Sequence, residues 1–222
     1  MKKNNKVKSL KQALKDFHVT IFGSARIKEG DPEYKEIYKL ARMIGKNGIN
    51  LVTGGGPGVM RAANTGHIAG REESDPPYAI GLGIKLPHEQ RVDPYLDIKV
   101  KFTRFSERLD NFMLLSNAII VAPGGIGTML ELFFSWQLMQ VKHTCSIPII
   151  LLGKQWHGLL KWLKEVPLKR RFFNREDLEL LFYAENSKQA MEIVSDAYKH
   201  FKEDKKDFCL NYKKYKKHLE GK

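Results

Sequence analysis

Two glycine-rich segments carry the residue types and spacing in this 222-residue sequence that can do chemistry. The first reads GGGPGVM at 54–60 and the second reads PGGIGTMLE at 123–131. Glycine lets the main chain approach a ligand without a Cβ in the way, and the N–H groups of a following helical turn can donate to an anion. Phosphate is therefore the expected occupant. The alternative for the first segment is a tight strand-to-helix turn without a ligand.

An acidic residue inside the second segment indicates more than phosphate binding. Glu131 falls about one turn into the expected helix, on the same face as Gly127 and Thr128. A carboxylate near a phosphate would oppose binding, so Glu131 either stabilises the helix start or faces a part of the ligand where positive charge develops. Arg108, fifteen positions before Pro123, would be an ordinary solvated residue unless an anionic site lies nearby.

Short apolar runs that alternate with segments of helical periodicity must position these residues. The alternation predicts an α/β protein with a doubly wound, mostly parallel Rossmann-like sheet and helices on both faces, whose ligands bind at the carboxyl ends of the strands. After Pro167, the region 174–202 predicts two further helices with Asn174 and Ser187 as N-caps, and no second sheet. We predict strands at 17–23, 49–53, 78–83, 97–102, 118–122 and 147–152, and helices at 33–47, 58–70, 106–116, 127–140 and 156–165.

The net charge of +13 belongs mainly to the two ends of the chain. Residues 1–16 carry six lysines against one acid and residues 199–222 carry nine lysines against four acids, which accounts for +10. We therefore predict a basic extension at 1–16, one nucleotide-binding domain at 17–202 and a lysine-rich tail at 203–222. The ends are either solvated tails or, through the segment YKKYKK, a contact to RNA, DNA or an anionic surface.

Cys145 and Cys209 have no CxxC partner and no matching histidine spacing, so we predict free thiols rather than a zinc site or a disulfide. The basic start is not followed by an apolar run, and no 18-residue apolar stretch occurs. Export and membrane insertion therefore lack support, and we expect a cytoplasmic protein without a membrane partner.

The two glycine segments together resemble the LOG family, the cytokinin riboside 5′-monophosphate phosphoribohydrolases that were once labelled lysine decarboxylases. FGSAR at 22–26, LPHEQ at 86–90 and DPYLD at 93–97 extend the similarity, which covers roughly 17–165. Leu109, Asn111 and Gly83 differ from the residues that the family commonly carries.

The resemblance implies hydrolysis of a purine nucleoside 5′-monophosphate, AMP-like or cytokinin-like, to free base and ribose 5-phosphate. It implies that Arg108 and Glu131 are catalytic and that no metal or cofactor is needed. Glu131 would stabilise the positive charge that develops on the sugar and orient water, while Arg108 would position Glu131 or the sugar hydroxyls. The pathway, hormone synthesis or nucleotide salvage, is left open. The implied substrate and phosphate contacts are Ser24, Gly54, Gly55, Gly56, Gly58, Met60, Gly124, Gly125, Gly127 and Thr128.

A second interpretation of the same pattern is a noncatalytic protein that carries a nucleotide or a molybdopterin-type cofactor on this fold. The pairing of an arginine with a glutamate favours the enzyme. The resemblance also implies a homodimer, for which the apolar side chains of helices 106–116 and 127–140 could supply the contact. Ordinary core packing is the alternative for these side chains, which are Phe112, Met113, Leu114, Phe133, Phe134 and Trp136.

Overall fold

Runs of branched and apolar residues form one parallel sheet of seven strands in a computed structural model, which describes residues 16–72, 74, 76–85 and 93–203. The order across the sheet is β4-β3-β2-β1-β5-β6-β7. Every pair of neighbouring strands is parallel. The strands are β1 (His18–Phe22), β2 (Asn50–Thr53), β3 (Ala79–Ile84), β4 (Ile98–Phe102), β5 (Ala118–Val121), β6 (Ile149–Leu152) and β7 (Leu181–Ala184).

Helices cover both faces of the sheet, which confirms the predicted doubly wound α/β fold. One core layer packs α1, α2 and α7 against the sheet, and the other packs α3, α4 and α5. A short π-helical turn at Lys164–Leu168 extends α5. The helices are α1 (Pro32–Lys46), α2 (Val59–Gly70), α3 (Phe105–Leu115), α4 (Ile126–Gln140), α5 (Trp156–Leu163), α6 (Arg175–Leu178) and α7 (Ser187–Glu203).

The winding direction reverses between β1 and β5. From β1 the chain builds β2, β3 and β4 on one side, and then crosses back to place β5, β6 and β7 on the other. In sheets of this kind the connections after the two central strands diverge to opposite faces, which opens a crevice at their carboxyl ends. This crevice lies where Phe22 and Val121, the last residues of β1 and β5, stand side by side.

The prediction for 174–202 is partly wrong. The structure places strand β7 between the two helices, on the edge of the same sheet beside β6. The four residues of β7 are too few to show a strand period beside the apolar end of α6. Ser187 is also not the N-cap of α7, because the side-chain oxygen of Asn186 accepts hydrogen bonds from the backbone N–H groups of Lys188 and Gln189.

The basic segment 1–15, the tail 204–222 with Cys209 and the LPHEQ motif lie outside the described residues. Cys145 is a free, exposed thiol. Within the described part of the chain, no helix combines the length and the apolarity needed to cross a membrane.

Candidate functional site

A cleft of about 510 Å³ opens at the crevice between β1 and β5. It brings together the loop after β1, the start of α2, one side chain of α3 and the first turns of α4. Leu109, Asn111 and Gly83, which depart from the family pattern, do not line it. Of the sequence-predicted residues, the cleft is lined by Ser24, Gly54, Met60, Arg108, Gly125, Gly127, Thr128 and Glu131, whereas Gly55, Gly56, Gly58 and Gly124 lie outside its lining.

Ser24 joins the two glycine segments through its backbone. Its N–H donates to the carbonyl oxygen of Pro123 at 3.0 Å, and its own carbonyl accepts from the N–H of Val59 at 2.9 Å. Gly58 has φ +69, and a Cβ there would overlap the Ser24 carbonyl, so only glycine allows this approach. The loop after β1 therefore holds the two turns on either side of the cleft.

The first glycine turn uses its own donors to hold its shape. The Gly55 N–H donates to the hydroxyl of Thr53 at 3.1 Å, and that hydroxyl donates to the buried side chain of Asn64 at 3.0 Å. The N–H of Gly56 is directed at the sulfur of Met60 at 3.4 Å. What this turn presents to the cleft is therefore the main chain of Gly54 and the side chain of Met60.

The second turn places the start of a 15-residue helix at the cleft. Gly125 is the N-cap of α4, and its carbonyl accepts the first helical hydrogen bond, from Met129 at 2.9 Å. No side chain of the described residues caps this helix start. The N–H groups of the three residues in between have no intrahelical acceptor, as at any helix start. Together with the helix dipole they make this end of the cleft attractive to an anion.

Arg108 of α3 and Glu131 of α4 meet inside the cleft. Nη1 of Arg108 lies 3.1 Å from Oε1 of Glu131, and the side chains are only 10% and 12% exposed. Nε of Arg108 donates to the carbonyl oxygen of Leu82 at 2.7 Å, and the guanidinium lies 4.8 Å from the ring centroid of Phe112. The arginine is thus fixed from three sides and holds the carboxylate in one place.

Burial opposes the charge of both partners. Desolvation raises the pKa of Glu131 to about 7, although the nearby guanidinium of Arg108 pulls it down. Desolvation likewise lowers the pKa of Arg108 from its usual value, while Glu131 acts in the opposite direction. A carboxyl that titrates near neutrality in a cleft is suited to bind and release protons or to face a developing positive charge.

Three residues that shape the site are not among the site residues predicted from the sequence. Arg26 lies in the FGSAR motif, lines the cleft and pairs with no acid in the described part of the chain. Gln155 comes from the loop after β6 and binds Gly124 from a distance of 31 residues. Asp93 accepts from Asn64 at 3.0 Å and so supports the first turn. Arg26 and Asp93 could have been selected from the sequence, because they lie in the quoted motifs FGSAR and DPYLD, whereas Gln155 lies in no quoted motif.

The comparison with family models decides the family. A model described as "Possible lysine decarboxylase" matches residues 60–194, which is more than half of the chain. This chain belongs to that family, the LOG family. The lining of the cleft contains no lysine among the described residues, so it lacks the side chain that would form a Schiff base in a pyridoxal-dependent decarboxylase. Among the described residues, no group of three or more His, Cys, Asp or Glu side chains could hold a metal ion.

Two relatives within the family carry names of hydrolases. The pyrimidine/purine nucleotide 5′-monophosphate nucleosidase of Escherichia coli K12 is 26% identical over 140 residues, which cover 61% of this chain and 30% of the relative. This chain therefore spans less than a third of that longer protein. The cytokinin riboside 5′-monophosphate phosphoribohydrolase of Mycobacterium tuberculosis is 27% identical over 183 residues, which cover 79% of this chain and 92% of the relative.

A solved structure of a cofactor-binding protein shares the fold. The molybdenum cofactor binding protein of Rippkaea orientalis superimposes with a TM-score of 0.60 at 20% identity, and the match covers 81% of this chain and 94% of that chain. At this identity the likeness establishes the Rossmann-like architecture alone. The family thus contains relatives named as hydrolases, and the fold also occurs in a protein named for cofactor binding.

Proposed function

We propose that this protein hydrolyses the N-glycosidic bond of a purine nucleoside 5′-monophosphate, AMP-like or cytokinin-like, to give free base and ribose 5-phosphate. One observation carries the proposal: the buried pair of Arg108 and Glu131 shares a cleft with the uncapped start of α4. A phosphate subsite and a carboxylate within one cleft of about 510 Å³ match the two ends of a ribose phosphate.

The start of α4 binds the phosphate in this proposal. The N–H groups of Gly127 and its helical neighbours donate to the phosphate oxygens, and Thr128 and Ser24 line the same space. Arg26 supplies positive charge at the edge of the cleft. With the phosphate held at one end, the sugar of the bound nucleotide extends towards the Arg108–Glu131 pair.

Glu131 acts on the sugar. Cleavage proceeds through a state with oxocarbenium character, in which positive charge develops on the ring while the bond between C1′ and the base nitrogen breaks. An ionised carboxylate beside the ring stabilises that charge and accepts a proton from the water whose oxygen forms the new bond to C1′. The base leaves with the electron pair of the broken bond and takes up a proton.

Arg108 positions this carboxylate. Its guanidinium is itself held by the Leu82 carbonyl and the Phe112 ring, so the direction of Glu131 is set before the substrate binds. Such preorganisation makes the attack of water effectively intramolecular. The remaining donors of Arg108 are available to sugar hydroxyls.

An exposed apolar stripe beside the cleft supports a homodimer. Ile126 is 89% exposed, and Met129, Leu130 and Phe133 continue the stripe along α4 at 38%, 47% and 38%. Of the apolar side chains predicted on these helices, Phe112 and Trp136 lie in the core, whereas Leu114 and Phe133 are exposed. The stripe begins at the proposed phosphate subsite. Because exposed apolar surfaces of this kind mark protein–protein contacts, we place the second copy of the chain against it.

A carrier function is the second candidate, because a cleft that binds phosphate can hold a phosphorylated cofactor without chemistry. The assay that separates the two incubates purified protein with AMP, GMP, CMP and UMP and follows free base by chromatography. We expect base and ribose 5-phosphate in equal amounts, with purine nucleotides preferred. Tight nucleotide binding without any released base would contradict the hydrolase and support the carrier.

A further inference from the structure

Gln155 makes a two-point contact with the second glycine turn. Its Oε1 accepts from the N–H of Gly124 at 3.0 Å, and its Nε2 donates to the carbonyl oxygen of Gly124 at 2.7 Å. The side-chain amide thus pairs with both backbone groups of a single glycine, 31 residues earlier in the chain. Both contacts are to main-chain atoms, so they restrain the path of the turn itself.

The loop that carries Gln155 is firmly anchored. The N–H of Gly153, with φ +94, donates to the Ala184 carbonyl of β7 at 2.9 Å. Trp156 is fully buried, and its Nε1 donates to the Val121 carbonyl at the end of β5 at 2.9 Å. Gln155 is held between these two anchors and reaches the turn that follows β5. A side chain on an anchored loop can fix the main chain that it binds.

The contact with Gln155 removes the Gly124 amide from the set of donors that are available to a ligand. The N–H of Gly124 belongs to the predicted phosphate set, yet it is already donated to Gln155. A Cβ at Gly124 would overlap the Thr128 hydroxyl, whereas a Cβ at Gly125 would have no atom within 4 Å. Gly124 is therefore packed into the protein, and the open main chain begins one residue later at Gly125, beside the start of α4.

We propose that Gln155 is a positioning residue for the phosphate subsite: its amide clamps Gly124 so that Gly125 and the first turn of α4 face the ligand. This inference rests on the proposed function, which places the substrate phosphate at that turn. Gln155 itself does not line the cleft, so it acts through Gly124 and not on the substrate.

The test replaces Gln155 with methionine, which keeps the length of the side chain and removes both hydrogen bonds, and with alanine as a second variant. With AMP as substrate, we expect KM to rise about fivefold to tenfold, as the loss of one or two net hydrogen bonds predicts, with kcat within about twofold. The affinity for ribose 5-phosphate, measured by calorimetry, should fall by the same factor. Gln189→Met is the matched control, because Gln189 also bonds a backbone N–H, that of Glu185, away from the cleft.

Unchanged KM and unchanged ribose 5-phosphate affinity in both Gln155 variants would overturn the inference. A loss confined to kcat, or failure of both variants to fold, would also overturn it, since either result assigns Gln155 another role. If the wild-type protein neither releases base nor binds ribose 5-phosphate, the proposed function fails. In that case amide hydrogen exchange decides: faster exchange at Gly124 and Gly125 in Gln155→Met supports the clamp, and unchanged exchange overturns it.

Discussion

Nη1 of Arg108 lies 3.1 Å from Oε1 of Glu131, although the two residues come from different helices and are 23 positions apart in the chain. Both side chains are almost fully buried, so each would be left with an unpaired charge if the other were removed. Removing both charges from water costs desolvation free energy, and apolar side chains in their place would avoid that cost. Its presence in a cleft beside an uncapped helix start is the basis of the proposed chemistry.

Replacement of Glu131 by glutamine keeps the shape of the side chain and removes its charge. We expect kcat to fall by about 10² to 10⁴, the range that a positioned acid-base group contributes, while nucleotide binding persists. Kinetics of base release and calorimetry with AMP measure the two effects. Glu107→Gln, at a half-exposed position on α3, should leave both unchanged. Near-normal turnover by Glu131→Gln would reduce Glu131 to a structural residue of α4.

The pH dependence follows from the same carboxyl. Burial raises the pKa of Glu131 to about 7, and the ionised form is the active one, so kcat/KM should rise as pH increases through about 7 and fall below it. The second ionisation of a substrate phosphate, with a pKa of about 6, adds a separate acid limb to the profile. Residual activity of Glu131→Gln should keep only that lower limb. Identical pH profiles for wild type and Glu131→Gln would contradict this assignment.

Gly54→Ala tests the packing around the arginine. A Cβ at this position would lie 2.5 Å from Nη2 of Arg108 and 2.6 Å from the sulfur of Met60, so the guanidinium must shift. A misplaced catalytic group can cost about 100-fold, and we expect kcat/KM to fall by about that factor in steady-state kinetics. Gly30→Ala is the control, because a Cβ there meets no atom within 4 Å. Equal losses in the two variants would show a general effect of the substitution.

Arg26→Met tests whether Arg26 contacts the phosphate of the substrate. Arg26 is an exposed cation at the edge of the cleft, and a charge-assisted hydrogen bond to phosphate is worth about tenfold in affinity at such a position. We expect KM for AMP to rise by about that factor while kcat/KM for adenosine, which has no phosphate, stays at the wild-type value. Arg42→Met, an exposed arginine on α1, serves as the control. A parallel change for nucleotide and nucleoside would exclude a contact to the phosphate.

A charge in the exposed stripe of α4 should separate the proposed dimer. Leu130→Glu places a carboxylate in the middle of the stripe without lowering helix propensity. Light scattering coupled to gel filtration should give the dimer mass for the wild type and the monomer mass for this variant. Trp162→Glu, at an exposed apolar position on α5, should remain dimeric. A monomeric wild type, or a dimeric Leu130→Glu, would contradict the placement of the second copy.

The sequence predicts the sheet well because its central strands are continuous apolar runs, as buried parallel strands must be. Two segments that each follow such a strand must meet at the same edge of the sheet, which is why Gly54, Gly125 and Glu131 could be grouped before the structure. Strand β7 is not predicted from the sequence, because its four residues lie between two helices and show too little periodicity.

Hydrogen bonds from the glycine amides to side chains set the parts of the site that could not be predicted. Glycines in a motif do not reveal which amides are already satisfied, and here Gly55 donates to Thr53 while Gly124 donates to Gln155. Both partners lie outside the glycine runs. Their identity depends on register and loop geometry, which the spacing of residues along the chain does not contain.

A crystal structure of Glu131→Gln with bound AMP would test the central claim most directly. We predict that the phosphate lies at the start of α4, within hydrogen-bond distance of the amides of Gly127 and Thr128. The ribose should then place C1′ next to the side chain of residue 131, with Arg108 still in contact with it. A phosphate bound elsewhere, or a side chain at 131 that points away from the ribose, would contradict the proposed function.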